Sequence, residues 1–127
     1  MPRPSKKAKT SVQRIDAGAR YSEASVWNGV VYLAGQVASG DAASMSVEAQ
    51  TKAVLTQIDE LLAKAGTDKT NILRAQIFLT NLSDIAGMNS EWDKWVPQGN
   101  PPSRATVEAK LANPAWKIEV VVTAAIP

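Results

Sequence analysis

Two charged side chains, Arg104 and Glu119, stand in sequence surroundings where they could carry out chemistry. The chain contains no cysteine and no histidine, which excludes thiol nucleophiles and the side chain most often used as a general base at neutral pH. Catalysis would therefore depend on carboxylates, arginine, lysine, hydroxyls and backbone amides. Such groups suit reactions that are already easy and mainly need the substrate to be positioned.

Arg104 lies near the start of a predicted strand, 103–111, where it shares one face with Thr106 and Glu108. A planar guanidinium can bind a carboxylate through two parallel hydrogen bonds, as the anchoring of a small α-imino or α-keto acid would require. An arginine on a strand is also commonly a surface or ion-pair residue. The local sequence leaves both interpretations open.

Glu119 interrupts the predicted strand 116–125, which is otherwise almost entirely apolar. A carboxylate seldom stays buried without a partner. One interpretation is a structural ion pair with Lys117 or with an arginine. The other is a general acid or base in a half-buried cleft.

The elements that position these two residues follow from turn signals and the spacing of apolar residues. Strands are predicted over 11–16, 22–28 and 30–34, with the hairpin dipeptide Asn28-Gly29 between the last two. A helix then runs from its cap Ser46 to Gly66.

A strand over 71–80 and a second helix, capped near Asn81 or Ser83 and ended by Pro97, precede the two final strands. Helices separated by strands in a short chain predict an α+β fold with one mixed sheet and both helices on the same face.

The last strand predicts that the other face of the sheet is apolar and uncovered. Val121, Thr123 and Ala125 point away from the helices if the alternate residues Ile118 and Val120 face them. Covering a valine side chain is worth roughly 1.5 kcal/mol or more. We therefore expect a partner subunit to cover this face, although the pattern does not fix the number of subunits.

Composition predicts a single domain over 11–127, preceded by a basic, disordered tail, 1–10, for which a targeting or anion-binding role stays open. The tail holds four cations, and without them 10 basic residues face 12 acidic ones. A body so near neutrality gives little reason to expect nucleic-acid binding. With no apolar run approaching roughly 20 residues and no secretory signal, a soluble cytoplasmic protein without a membrane partner is expected.

Several motifs, taken together in their order and spacing, resemble the RidA/YjgF family of reactive-intermediate deaminases. The resemblance runs from about Val12 to the C-terminus. The motifs are Val-Tyr-Leu-Ala-Gly-Gln-Val at 31–37, Ala-Lys-Ala-Gly at 63–66, Phe-Leu-Thr-Asn-Leu at 78–82 before Met-Asn at 88–89, Pro-Ser-Arg-Ala-Thr-Val-Glu at 102–108 and Lys-Ile-Glu-Val at 117–120.

The resemblance implies a chorismate-mutase-like α+β fold, assembled as a homotrimer with a central β-barrel and with active sites in the clefts between subunits. It implies hydrolysis of enamine or imine intermediates, such as 2-aminoacrylate or 2-iminopropionate, to keto acids and ammonia. No metal or organic cofactor is implied, and the partner is a small imino or enamino acid. The alternative is a noncatalytic, ligand-binding or chaperone-like trimer that keeps the cleft.

The resemblance also implies roles for particular residues. Arg104 would clamp the substrate carboxylate, and Glu119 would position or deprotonate the attacking water or deliver a proton to the leaving ammonia. Binding residues would be Tyr21, Gly35, Asn89 and Thr106.

Outside the resemblance, Tyr21 is also interpretable as an aromatic at the solvent edge, Asn89 as a solvated helix residue and Gly35 as a strand terminator. Two residues depart from the family pattern. Ala34 stands where many relatives have serine, and Thr106 where many have cysteine, so the polarity of the pocket differs.

Overall fold

Seven β-strands form one mixed sheet in the computed structural model, which describes residues 11–127. The strands are β1 (Gln13–Ala17), β2 (Ser22–Trp27), β3 (Val30–Leu33), β4 (Gln36–Val37), β5 (Ile72–Leu79), β6 (Ser103–Glu108) and β7 (Ile118–Ala125). Their order across the sheet is β1-β2-β3-β7-β5-β6, with the short β4 also paired to β7. The tail predicted for 1–10 lies outside the described residues.

Strand direction fits the connections between the strands. β5 and β6 run parallel, whereas the other pairs in the described part of the chain are antiparallel. Parallel neighbours need a long connection, and a helix between β5 and β6 supplies it. The predicted α+β class with one mixed sheet is confirmed.

Two helices, α1 (Val47–Ala65) and α2 (Ile85–Trp95), accompany the sheet. The predicted ends of α1 are confirmed: the Ser46 hydroxyl accepts a hydrogen bond from the Ala49 N–H at 3.2 Å, and Gly66 ends the helix in a left-handed conformation with φ of 87°. Asn81 caps a short 3₁₀ turn that precedes α2 rather than α2 itself. No helix in the described residues is long and apolar enough to span a bilayer.

Both helices lie on one face of the sheet, as predicted. Along β7 every second residue is at most 1% exposed, and α1 contributes buried residues to the same core. Met88 and Trp92 of α2 join this core, whereas Ile85 of the same helix is 40% exposed. The buried residues of β7 are Ile118, Val120, Val122 and Ala124.

The opposite face of the sheet is partly apolar and open in the single chain. Tyr32 and Val107 are exposed on this face, and Val121 and Phe78 are half-buried. The strand register places these side chains on the same face. Tyr32 pairs with Thr123 and Phe78 pairs with both Val107 and Glu119, and Glu119, Val121 and Thr123 are alternate residues of β7. We call this the open face.

In the predicted strand 71–80, alternation places Leu73 on the same face as Ala75, Ile77 and Leu79, and this prediction is wrong at the first residues of β5. A register irregularity between Ile72 and Arg74 buries Ile72 and leaves Leu73 52% exposed. A bulge adds one residue to a strand and so reverses the side on which the preceding residues point. The predicted alternation holds again from Ala75 to Leu79.

Candidate active site

Arg104 is half-buried on β6 and faces α2. Its Nη1 donates a hydrogen bond to Oδ1 of Asn89 at 2.9 Å, and its Cζ lies 5.1 Å from the centroid of the Trp92 ring. It forms no salt bridge among residues 11–127. A guanidinium has five N–H donors, so one oriented by a neutral amide and an aromatic face can still bind an anion.

Thr106 lies two residues along the same strand, on the same side as Arg104. Its hydroxyl oxygen is buried and has no hydrogen-bond partner among the described residues. Leaving such a group unpaired costs about 1–3 kcal/mol. An unpaired hydroxyl beside an available guanidinium is the arrangement expected of a ligand site, and we call Arg104, Asn89 and Thr106 the arginine half-site.

Replacing Thr106 with valine should raise the free energy of unfolding by about 1 kcal/mol, because it removes a buried hydroxyl that has no partner. Urea denaturation would measure the change. Thr51→Val is the matched control, since the Thr51 hydroxyl is equally buried but donates to the Val47 carbonyl at 2.7 Å. Equal losses of stability in the two variants would contradict this account of Thr106.

Glu119 is half-buried on the open face, between Val37 of β4 and Phe78 of β5. Among residues 11–127 it forms no salt bridge with Lys117 or any other cation. The ion-pair interpretation of Glu119 is therefore not observed in the single chain.

Gly35 lies directly against the Glu119 carboxylate. A Cβ at Gly35 would overlap Oε2 of Glu119, so any larger residue would have to displace that carboxylate. Gly35 stands immediately before β4, a two-residue strand that was not predicted from the sequence. Pairing of β4 with β7 brings Gly35 to Glu119.

Gly35 also lines a cleft of about 360 Å³ together with Tyr21, whose side chain is 64% exposed. On the wall of this cleft, Lys64 Nζ contacts Asp16 Oδ2 at 2.7 Å. This hydrogen bond and the charge of Asp16 raise the pKa of Lys64. Glu119 does not line this cleft, so Tyr21 shares it with Gly35 alone among the predicted site residues. We call Glu119 and Gly35 the glutamate half-site.

The two half-sites lie on opposite faces of the sheet in one chain. Arg104 pairs with Ala75, which faces the helices, whereas Glu119 alternates with the buried Ile118 and Val120 and points the other way. One chain alone therefore does not bring the arginine and the glutamate to a common substrate.

Another cavity, of about 550 Å³, lies between α1 and α2 and contains none of the predicted site residues. Two of its three lysines are already engaged: Lys94 with Glu91, and Lys69 with the Trp95 carbonyl. Among the described residues, no group of three or more acidic side chains is placed to hold a metal ion. The half-sites therefore remain the better candidates for chemistry.

The surroundings of Arg104 were not predicted from the sequence. Its guanidinium lies over the Trp92 ring, and Met88 Sδ lies 3.9 Å from Nη1. No local pattern links α2 to β6, so a contact of this kind is visible only after folding.

The chain is similar to known proteins over most of its length. The chain matches the family model described as Endoribonuclease L-PSP over residues 11–126. It is 54% identical over 114 residues to a RutC family protein of Haemophilus influenzae, covering 90% of this chain and 97% of that protein. It is 42% identical over 116 residues to the RutC family protein YoaB of Escherichia coli, covering 91% and 99%.

The fold is similar to the crystal structure of a member of the YjgF protein family from Neisseria meningitidis. The TM-score is 0.87 and the sequence identity 41%, and the match covers 92% of this chain and 96% of that one. The family model spans both half-sites, since their residues lie between Gly35 and Glu119 and the model covers 11–126.

Proposed function

Because the chain belongs to the endoribonuclease L-PSP family, which takes in its RutC and YjgF relatives, we propose that it hydrolyses reactive enamine and imine intermediates of amino-acid chemistry. Substrates of this class are 2-aminoacrylate and 2-iminopropionate, and the products are a keto acid and ammonia. We place the activity in the cytoplasm. The observation that carries the proposal is the half-buried Arg104, which is oriented by Asn89 and forms no salt bridge among residues 11–127.

Arg104 would bind the substrate carboxylate. A bidentate pair fixes both the position and the plane of a small α-imino acid, which is most of what an easy hydrolysis requires. We expect Thr106, which lies two residues along the strand on the same side and whose hydroxyl has no partner among the described residues, to add a hydrogen bond to the same ligand.

Glu119 would act as a general acid and base at the C=N bond of the substrate. Water adds across the C=N bond of the imine, and the resulting carbinolamine loses ammonia to leave the C=O of the keto acid. A carboxylate can take the proton from water and return it to the departing nitrogen. The reaction transfers no electrons, so the proposal requires neither a metal nor an organic cofactor.

The two half-sites would meet between subunits of a homotrimer. The open face carries the exposed apolar residues Tyr32 and Val107 and also the glutamate half-site. Packing three open faces into a central barrel would cover this surface and could bring Glu119 of one subunit toward Arg104 of the next. Sedimentation equilibrium should give three times the chain mass of 13.6 kDa, and a monomer would contradict the assembly.

The activity is tested by generating 2-aminoacrylate with a serine dehydratase and following pyruvate release. The wild-type chain should accelerate release beyond the spontaneous rate in proportion to its concentration. No acceleration at any concentration would overturn the proposed reaction. Besides the other subunits of the trimer, a small imino acid is the only partner that this proposal requires.

One observation favours a second candidate, a noncatalytic trimer that binds small carboxylates or acts like a chaperone. The arginine half-site is assembled from α2 and β6 of one chain and does not depend on Glu119. Such a protein would bind keto acids at Arg104 without turnover.

A further inference from the structure

A chain of side-chain hydrogen bonds runs from α1 to the segment that contacts Glu119. The Ser39 hydroxyl donates to Oε1 of Gln57 at 3.1 Å, and Nε2 of Gln57 donates to Oε1 of Gln36 at 3.1 Å. Nε2 of Gln36 then donates to Oε1 of Glu23, also at 3.1 Å. We call these four residues the amide relay.

The relay also holds the backbone on both sides of Gly35. Nε2 of Gln36 donates to the Ala34 carbonyl at 3.1 Å, and Nε2 of Gln57 donates to the Val37 carbonyl at 3.0 Å. The backbone of this segment is tied further by the Ala34 N–H, which donates to the Glu23 carbonyl at 2.8 Å. Gly35 is thus fixed between two residues whose carbonyls are bound by side-chain amides.

Burial makes this arrangement more than a set of surface contacts. Gln36 is only 6% exposed, and a buried amide that lost its partners would cost about 1–3 kcal/mol for each unpaired group. The amide nitrogens of Gln57 and Gln36 act only as donors and their amide oxygens only as acceptors, so the hydrogen bonds run from Ser39 toward Glu23. A glutamate at either position would place an acceptor oxygen opposite another acceptor, where an N–H donor is needed.

We infer that Gln57 and Gln36 are positioning residues, which set the Gly35 backbone at the distance that holds the Glu119 carboxylate in its working orientation. Gly35 has no side chain to resist movement toward or away from that carboxylate, so the distance between them depends on the bonds that fix Ala34 and Val37. The relay carries this constraint from a core helix on one face of the sheet to the acid on the other. The inference deepens the proposed function and rests on it.

The test is Gln57→Met, which keeps the length and helix propensity of the side chain and removes its amide. We expect kcat for 2-aminoacrylate hydrolysis to fall about tenfold while KM changes by less than about twofold, because the carboxylate anchor at Arg104 is untouched. The Gly35 amide resonance and the Glu119 carboxyl resonance should both move. Ser39→Ala, which removes only the exposed end of the relay, should lower kcat about twofold.

The matched control is Gln98→Met, since exposed Gln98 also donates to two backbone carbonyls, those of Asp93 and Val96, but lies outside the relay. A merely structural role for Gln57 would lower the melting temperature and leave kcat per folded protein and both resonances as they are in the control. That result would overturn the inference. If the wild type shows no turnover, the proposed reaction is overturned, but the inference about Gln57 can still be tested. Movement of the Gly35 and Glu119 resonances in Gln57→Met would support it, and unchanged resonances would overturn it.

Discussion

Replacing Arg104 by alanine should lower kcat/KM for 2-aminoacrylate hydrolysis about 100-fold or more and weaken the binding of pyruvate similarly. Hydrogen bonds to charged groups contribute about 1.5–3 kcal/mol, and each 1.4 kcal/mol corresponds to about tenfold. The coupled dehydratase assay measures the first quantity, and isothermal titration calorimetry with pyruvate measures the second.

Two further variants define what Arg104 contributes. Arg104→Lys keeps the charge but loses the planar pair of donors, so its kcat/KM should fall between those of the wild type and Arg104→Ala. Lys110→Ala removes an exposed cation two residues beyond β6 and should leave both quantities unchanged. Equal kcat/KM values for Arg104→Ala and the wild type would remove the arginine from the site.

Local signals predicted the parts of the fold that depend on neighbouring residues. Ser46 and Gly66 marked α1 because an N-cap and a left-handed C-terminal glycine act within one turn of the helix. The alternation from Ile118 to Ala124 predicted which side of β7 is buried because side chains on a strand alternate strictly. Both signals are local and need no knowledge of what packs against them.

The remaining features depend on contacts between distant segments. The bulge that exposes Leu73 and the short β4 are set by pairing with β7, which lies more than 40 residues further along the chain. Arg104 faces α2 and donates to Asn89, which lies 15 residues earlier in the chain. No spacing within β6 indicates that partner.

The candidate site also combines features that local sequence signals predict with features that depend on contacts between distant segments. The resemblance to a family supplied residue identities, and the alternation of β7 correctly predicted that Val121, Thr123 and Ala125 point away from the helices, as Glu119 also does. Only the register between strands shows that Arg104 and Glu119 lie on opposite faces of one sheet. The separation of the two charges, rather than their presence, is therefore what the structure adds, and it makes assembly a condition for the proposed chemistry.

Glu119→Gln should lower kcat about 100-fold or more and leave the dissociation constant for pyruvate within about twofold of the wild-type value. General acid–base catalysis by one positioned group contributes about 100-fold to 10,000-fold, and a glutamine of the same shape keeps the packing against Gly35 without accepting the proton. Turnover in the dehydratase assay and calorimetry with pyruvate measure the two effects. Glu48→Gln, an exposed acid near the start of α1, is the control and should behave as the wild type.

Gly35→Ala provides an independent way to disturb the same carboxylate. The added Cβ would push Oε2 of Glu119 aside while leaving its charge intact, so kcat should fall although every ionisable group remains. Joint loss of turnover in Gly35→Ala and Glu119→Gln, with pyruvate binding kept, would show that the orientation of the carboxylate matters as well as its presence. Full turnover in Glu119→Gln would instead remove Glu119 from the proton transfers.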